Sequence, residues 1–84
     1  MAEVDIYTTD YCPFCTHAKK LFASIDQPYT EIDVTHDDEK RQWLVSTTGQ
    51  RTVPQIFIDD QPIGGFSEAQ TLHLSGKLKE LLTA

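Results

Sequence analysis

The sequence predicts an α/β fold, a four-stranded mixed sheet flanked by helices in the order β-α-β-α-β-β-α. Three observations carry that expectation. Val4, Ile6 and Thr8 alternate, as do Thr30, Ile32 and Val34, in the manner of short half-buried strands. Ala18, Leu21, Phe22 and Ile25 follow the i, i+3, i+4, i+7 spacing of an amphipathic helix, so a helix lies between those strands. Further on, Asp59-Asp60 separates two more strand-like runs closely enough to join them as an antiparallel hairpin. The first two strands, joined through a helix, must instead run parallel with a right-handed crossover.

Taken in order, residues 3–8 form the first strand, and Thr9-Asp10-Tyr11 a loop. The first helix is expected from Pro13 to about Ile25, because Asp26-Gln27-Pro28 breaks it and proline disfavours helix in the residue before it. Tyr29 to Val34 is the second strand. A second helix runs from about Asp37 to Thr47, with acids in its first turn, Trp43 and Leu44 toward the core, and its end before Gly49. Val53 to Ile58 is the third strand. Pro54 should stand at its beginning, since proline cannot donate to a ladder. Gln61 to Gly64 is the fourth. Gly64-Gly65 marks a place where backbone takes positive φ or lets something approach closely. Ser67-Glu68-Ala69-Gln70 reads as a capping box that opens a third helix, which Gly76 interrupts before a last amphipathic stretch from Lys77 to Leu82.

Composition narrows the function. Eighty-four residues, 39% of them hydrophobic, with Trp43, three Tyr and four Phe, make one domain (residues 1–84) with one modest core. No apolar run is long enough to span a membrane, and Met1-Ala2-Glu3 does not begin a signal peptide. A net charge of −6 argues against a nucleic-acid partner.

The chemistry-bearing stretch is Tyr11-Cys12-Pro13-Phe14-Cys15, which holds both cysteines where a strand hands over to a helix. Cys12 falls at the N-cap and Pro13 at N1, where a fixed φ suits the helix and the missing N–H is no loss. The backbone N–H groups of Phe14 and Cys15 then point at the Cys12 sulfur, and the helix dipole adds to them. Both favour a thiolate, which is the nucleophilic form. Cys15, one turn on, lies within disulfide reach of Cys12. The pair reads as a redox-active dithiol. A zinc site would need ligands that are not there, since the chain has no second cysteine pair and His17, His36 and His73 are scattered. A structural disulfide belongs to small oxidised scaffolds, and so short a loop would restrain the unfolded chain little. Reactive thiols point to the reducing cytosol. C-x-x-C beside a β-α-β pattern is the sequence form of a thioredoxin-like fold.

Cys12-Pro13-Phe14-Cys15, then Thr52-Val53-Pro54, then Gly64-Gly65 followed by Phe66-Ser67-Glu68 together resemble a glutaredoxin over essentially the whole chain. The resemblance implies a glutathione-dependent thiol–disulfide oxidoreductase, acting on disulfide-bonded or glutathionylated proteins as a monomer and without a metal. It makes Cys12 the attacking thiolate and Cys15 the resolving thiol. It makes Pro54 a cis-proline, with the Val53 backbone pairing with the cysteinyl part of glutathione as an added strand does. Thr52, Phe14 and Gly65 would also bind glutathione. Ser67 and Glu68 would hold the γ-glutamyl end, where helix N–H groups suit a carboxylate and an acid suits the ammonium. Arg41 would anchor the glycine carboxylate. Thr9 would offer a hydroxyl where many relatives carry lysine, and Phe66 replaces a common cysteine. Two other functions share these residues: a [2Fe–2S] cluster held between two chains by Cys12 and glutathione, and electron delivery to a single reductase. Pro13 argues against the cluster, since C-P-F-C resembles the enzymatic members of the family.

Overall fold

A computed structural model describes residues 2–83. Their elements are β1 (Val4–Thr8), α1 (Pro13–Ser24), β2 (Thr30–Asp33), α2 (Asp38–Thr48), β3 (Gln55–Ile58), β4 (Gln61–Gly64), α3 (Phe66–Leu74) and α4 (Lys77–Thr83). The strands form one sheet in the order β2-β1-β3-β4. β1 pairs parallel with β2 and antiparallel with β3, which pairs antiparallel with β4. The mixed four-stranded sheet is therefore present as expected.

Each face of the sheet has its own core. On one face Val4, Ile6, Ile56 and Ile58 pack with Ala18 and Phe22 of α1, Ala69 of α3, and Leu78 and Leu82 of α4. On the other, Phe57 and Val34 meet Leu44 of α2. The alternation of β1 explains the division: Val4, Ile6 and Thr8 are buried, while Asp5 and Tyr7 between them are half-exposed. The hairpin turn is made by Asp59 and Asp60, both with positive φ (50° and 66°), the handedness that matches the twist of the strands it joins. Asp59 also accepts from the Glu3 N–H through its carboxylate and donates its own N–H to the Glu3 carbonyl, tying the hairpin to the start of β1.

Four expectations are corrected. Trp43 is 46% exposed, stacked on Phe57 and tilted against Tyr7, and Leu44 alone points inward from that turn. Successive helical residues diverge by about 100°, so with Leu44 pointed at the sheet Trp43 is carried to the margin of the apolar face. Ser67 is not the cap of the third helix. The N-cap is Gly65, no side chain makes a capping bond, and Ser67 sits one residue inside the first turn. The interruption at Gly76 (φ +82°) is a full break, giving two helices where one was expected. The third strand starts at Gln55 rather than Val53, since Pro54 has no N–H for the ladder. Among the described residues no helix is long and apolar enough to cross a membrane.

Candidate active site

The site is assembled where four segments meet: the start of α1, the loop before β3, the start of α3 and the inner face of α2. Cys12 is the N-cap of α1 with Pro13 behind it, and the Cys15 N–H donates to the Cys12 sulfur at 3.1 Å. Of the two N–H groups expected to aim at that sulfur, it is the one that reaches it. Both cysteines are thiols, Cys12 half-buried and Cys15 1% exposed. Burial pushes the Cys15 thiol up to about 12, helped by its contact with Cys12; a hydrogen bond with the Thr9 backbone and the Lys19 charge oppose this without cancelling it. The two sulfurs thus have different surroundings, one open at a helix terminus and the other sealed beneath it.

The Val53–Pro54 bond is cis, and the Cys12 thiol donates to the Val53 carbonyl at 3.4 Å. Val53 and Thr52 also line a cleft of about 550 Å³ that runs along α2 past Arg41. On the other side of Pro54 comes the start of α3. A Cβ at Gly65 would lie 3.2 Å from the Pro54 carbonyl, a tight contact that a larger residue would relieve only by moving one segment a few tenths of an ångström. Gly64 supplies the positive φ (108°) that turns the chain there, so the two glycines have separate roles. The first-turn N–H groups of α3, those of Phe66, Ser67 and Glu68, have no intrahelical acceptors. The Glu68 side chain folds back over Gly64.

The structure therefore brings Cys12 to Val53 and Gly65 to Pro54, with Arg41 in the cleft that Thr52 and Val53 line, while Ser67 and Glu68 line a separate, shallower pocket with Ile63 and Leu72. Phe14 stands beside them, 58% exposed, stacked with Phe66 and edge-on to His17. Thr9 does not join the group as expected. It is 5% exposed, and its hydroxyl is buried with no hydrogen-bond partner, so it cannot meet a ligand from there. A buried hydroxyl without a partner is destabilising, and valine has nearly the same shape. Thr9→Val should stabilise the fold by about 1 kcal/mol, raising Tm by roughly 4–8 °C for a domain of this size. Thermal unfolding followed by circular dichroism checks this. An unchanged or lower Tm would mean that the hydroxyl is satisfied in solution.

Three contributors escaped the sequence reading. Gln55, 1% exposed, donates through its side-chain amide to the Thr52 carbonyl at 2.7 Å and to Gln50 at 3.3 Å, propping the loop that carries Val53. A glutamine opening the apolar run Gln55-Ile56-Phe57-Ile58 was a signal for it, since a polar group amid buried neighbours must be bonded. Arg51 lines the same cleft as Arg41. His17 lies 5.5 Å from Phe66, and no spacing in the sequence announces that contact.

A half-buried cysteine thiol at a helix N-terminus, with a buried partner one turn on and a cis-proline loop beside it, on a sheet of this order, marks a thiol–disulfide oxidoreductase. Comparison with known proteins agrees. Residues 4–63 match the model of the Glutaredoxin family. Glutaredoxin 3 of Escherichia coli K12 is 42% identical over 82 residues, covering 98% of this chain and 99% of that protein. A glutaredoxin of Pseudomonas aeruginosa is 39% identical over 84 residues, the whole of both chains. Among solved structures, a buckwheat glutaredoxin–glutathione complex superposes with a TM-score of 0.90 at 35% identity, over 95% of this chain and 76% of that one. A wheat glutaredoxin gives 0.89 at 38% identity, over 95% and 77%. The chain belongs to the glutaredoxin family, a family of oxidoreductases.

Proposed function

We propose that this chain reduces protein disulfides and glutathione mixed disulfides at the expense of glutathione, through the Cys12/Cys15 dithiol. The observation that carries this reading is the Cys12 sulfur itself. It is accessible, it accepts the Cys15 N–H, and it lies against the Val53 carbonyl at the mouth of the groove. The Cys12 thiolate attacks the glutathionyl sulfur of a mixed disulfide, forming a Cys12–glutathione disulfide and releasing the substrate as its thiolate, which takes up a proton. A second glutathione thiolate then attacks the glutathionyl sulfur, giving oxidised glutathione and free Cys12. With a protein disulfide, Cys12 captures one substrate sulfur and Cys15 attacks Cys12. The Cys12–Cys15 disulfide closes, and the second substrate thiolate leaves; two glutathiones in succession then reduce that disulfide and depart as oxidised glutathione.

The groove offers glutathione a place in keeping with this chemistry. The Val53 backbone faces the cysteinyl part, and Phe14 and Thr52 flank it. Arg41 takes the glycine carboxylate. Gly65, Ser67 and Glu68 receive the γ-glutamyl end at the start of α3. That a buckwheat glutaredoxin is known in complex with glutathione supports glutathione as the ligand. The domain acts as a monomer in a reducing, glutathione-containing compartment such as the cytosol. The test is reduction of 2-hydroxyethyl disulfide coupled to glutathione, glutathione reductase and NADPH. Turnover that requires glutathione is expected. Turnover driven by thioredoxin reductase alone, with none from glutathione, would overturn the reading.

A further inference from the structure

We infer that the cleft between α2 and the loop before β3 selects protein substrates with an acidic side chain two residues after the reactive cysteine, and that Arg51 reads it. The inference rests on the oxidoreductase reading above and extends it from glutathione to the peptide that replaces glutathione in the groove.

The cleft is unusual for this molecule. The chain carries thirteen acidic residues against seven basic ones, yet Arg41 and Arg51 are the charged residues lining it. Among the described residues the ion pair is Lys19 with Glu31, and no described carboxylate lies within ion-pair distance of either arginine. Val34, Leu44, Val45 and Val53 supply apolar walls, and a low-dielectric wall strengthens an ionic contact made against it. Two unpaired guanidinium groups over an apolar floor suit a carboxylate.

Register says which carboxylate. Arg51, Thr52 and Val53 lie outside the sheet, and among the described residues none of the three takes part in a backbone–backbone hydrogen bond; the Thr52 carbonyl is taken by the Gln55 amide, which leaves the Arg51 and Val53 backbone to pair with an added strand. A substrate cysteine bonded to Cys12 is held beside Val53, whose carbonyl is 3.4 Å from the Cys12 sulfur. When one residue exchanges both its N–H and its C=O with a single partner residue, the pairing is antiparallel. The residue after the substrate cysteine then lies opposite Thr52, and the next one opposite Arg51. Residues before the cysteine run the other way, past Pro54 toward Gly65 and α3. An acid at the second position therefore meets Arg51 as a directly opposed cross-strand pair, with Arg41 beside it.

The test uses two disulfide-linked peptide dimers that differ only in Asp or Lys two residues after the cysteine. The wild-type protein should reduce the Asp peptide with a kcat/KM about three- to fivefold higher than the Lys peptide at low ionic strength. Arg51→Ala should bring the two rates together, and Arg51→Glu should reverse their order. Arg51 is exposed, so these variants fold. The Asp-to-Lys rate ratio is read within each protein, so any change in the handling of glutathione, which is common to both peptides, cancels; all three proteins are also assayed on 2-hydroxyethyl disulfide with glutathione. Equal rates on the two peptides in the wild-type protein, or a preference unchanged in Arg51→Glu, would overturn this inference and leave the oxidoreductase reading standing. Failure of every protein on 2-hydroxyethyl disulfide would remove the reading and this inference with it.

Discussion

Cys12→Ser should abolish reduction of every disulfide substrate, whereas Cys15→Ser should divide the substrates into two groups. The surroundings of the two sulfurs set this expectation. Cys12 is the accessible one at the helix terminus, and the Cys15 N–H is aimed at it. A serine hydroxyl in its place is not appreciably ionised near neutral pH and cannot attack sulfur. Cys15 is 1% exposed and its thiol is pushed up to about 12, so outside substrates cannot reach it and little of it is thiolate. At neutral pH very little of such a thiol is ionised. Effective molarities of about 10⁵–10⁸ M for well-placed groups offset so small a fraction, but only for attack on the adjacent Cys12 sulfur. Cys15 is thus fitted for the second step and excluded from the first. Cys15→Ser should keep reduction of small glutathionylated substrates, because free glutathione resolves the Cys12 intermediate. Its reduction of protein disulfides should fall by at least about tenfold, since external glutathione must then replace an intramolecular thiol. The measurement is the pair of rates for each variant on the two substrate types. An active Cys12→Ser beside a Cys15→Ser dead on both would reverse the assignment.

The helix that carries this dithiol was legible in the sequence because its signals are local. Cys12 and Pro13 at its start and the spacing of Ala18, Leu21, Phe22 and Ile25 each act within a turn or two of their own backbone. The Asp59-Asp60 hairpin and the stop at Gly49 (φ +73°) are local in the same way. Ser67 shows where local reasoning fails. Its pattern is that of a capping box, but α3 begins at Phe66 with Gly65 as its N-cap, where the chain passes close to Pro54, eleven residues away in sequence. Thr9 failed for a related reason. A loop residue beside the nucleophile reads as exposed, yet it is buried next to Cys15, and burial depends on what the rest of the chain lays over it. Arg51 and Arg41 are ten positions apart and share a cleft only because α2 and the loop after it fold alongside each other. Gln55 was readable as a polar residue in an apolar run, but its partners in the 50–52 loop were not.

The largest stability loss is expected from Phe22→Ala. Phe22 is the largest fully buried side chain, 0% exposed, and it stands on the face of α1 that meets β1, β3, α3 and α4. Ala18 is the other fully buried residue of α1 in that cluster, while Leu21 and Ile25 only flank it. A methyl group in place of the ring loses the transfer energy of the removed atoms and leaves a cavity that the surrounding strands and helices cannot close. Substitutions of this kind lower the unfolding free energy by about 3–5 kcal/mol. A domain this small has roughly 5–15 kcal/mol in all, so the variant should unfold at a much lower urea concentration with its m-value retained. Phe22→Leu, which keeps most of the volume, should lose under about 1.5 kcal/mol. The consequence for function follows from position: α1 holds Cys12 at its N-terminus, and Phe22 fixes its other end to the sheet. At temperatures where the variant is still folded, Cys12 should keep its reactivity, because the contacts of its sulfur are to Cys15 and Val53 and not to the core. Urea unfolding of the reduced protein, with the initial rate of thiol alkylation measured beside it, tests both halves. A loss below about 1 kcal/mol would show that the core closes around the missing ring, contrary to the dense packing on this face of the sheet.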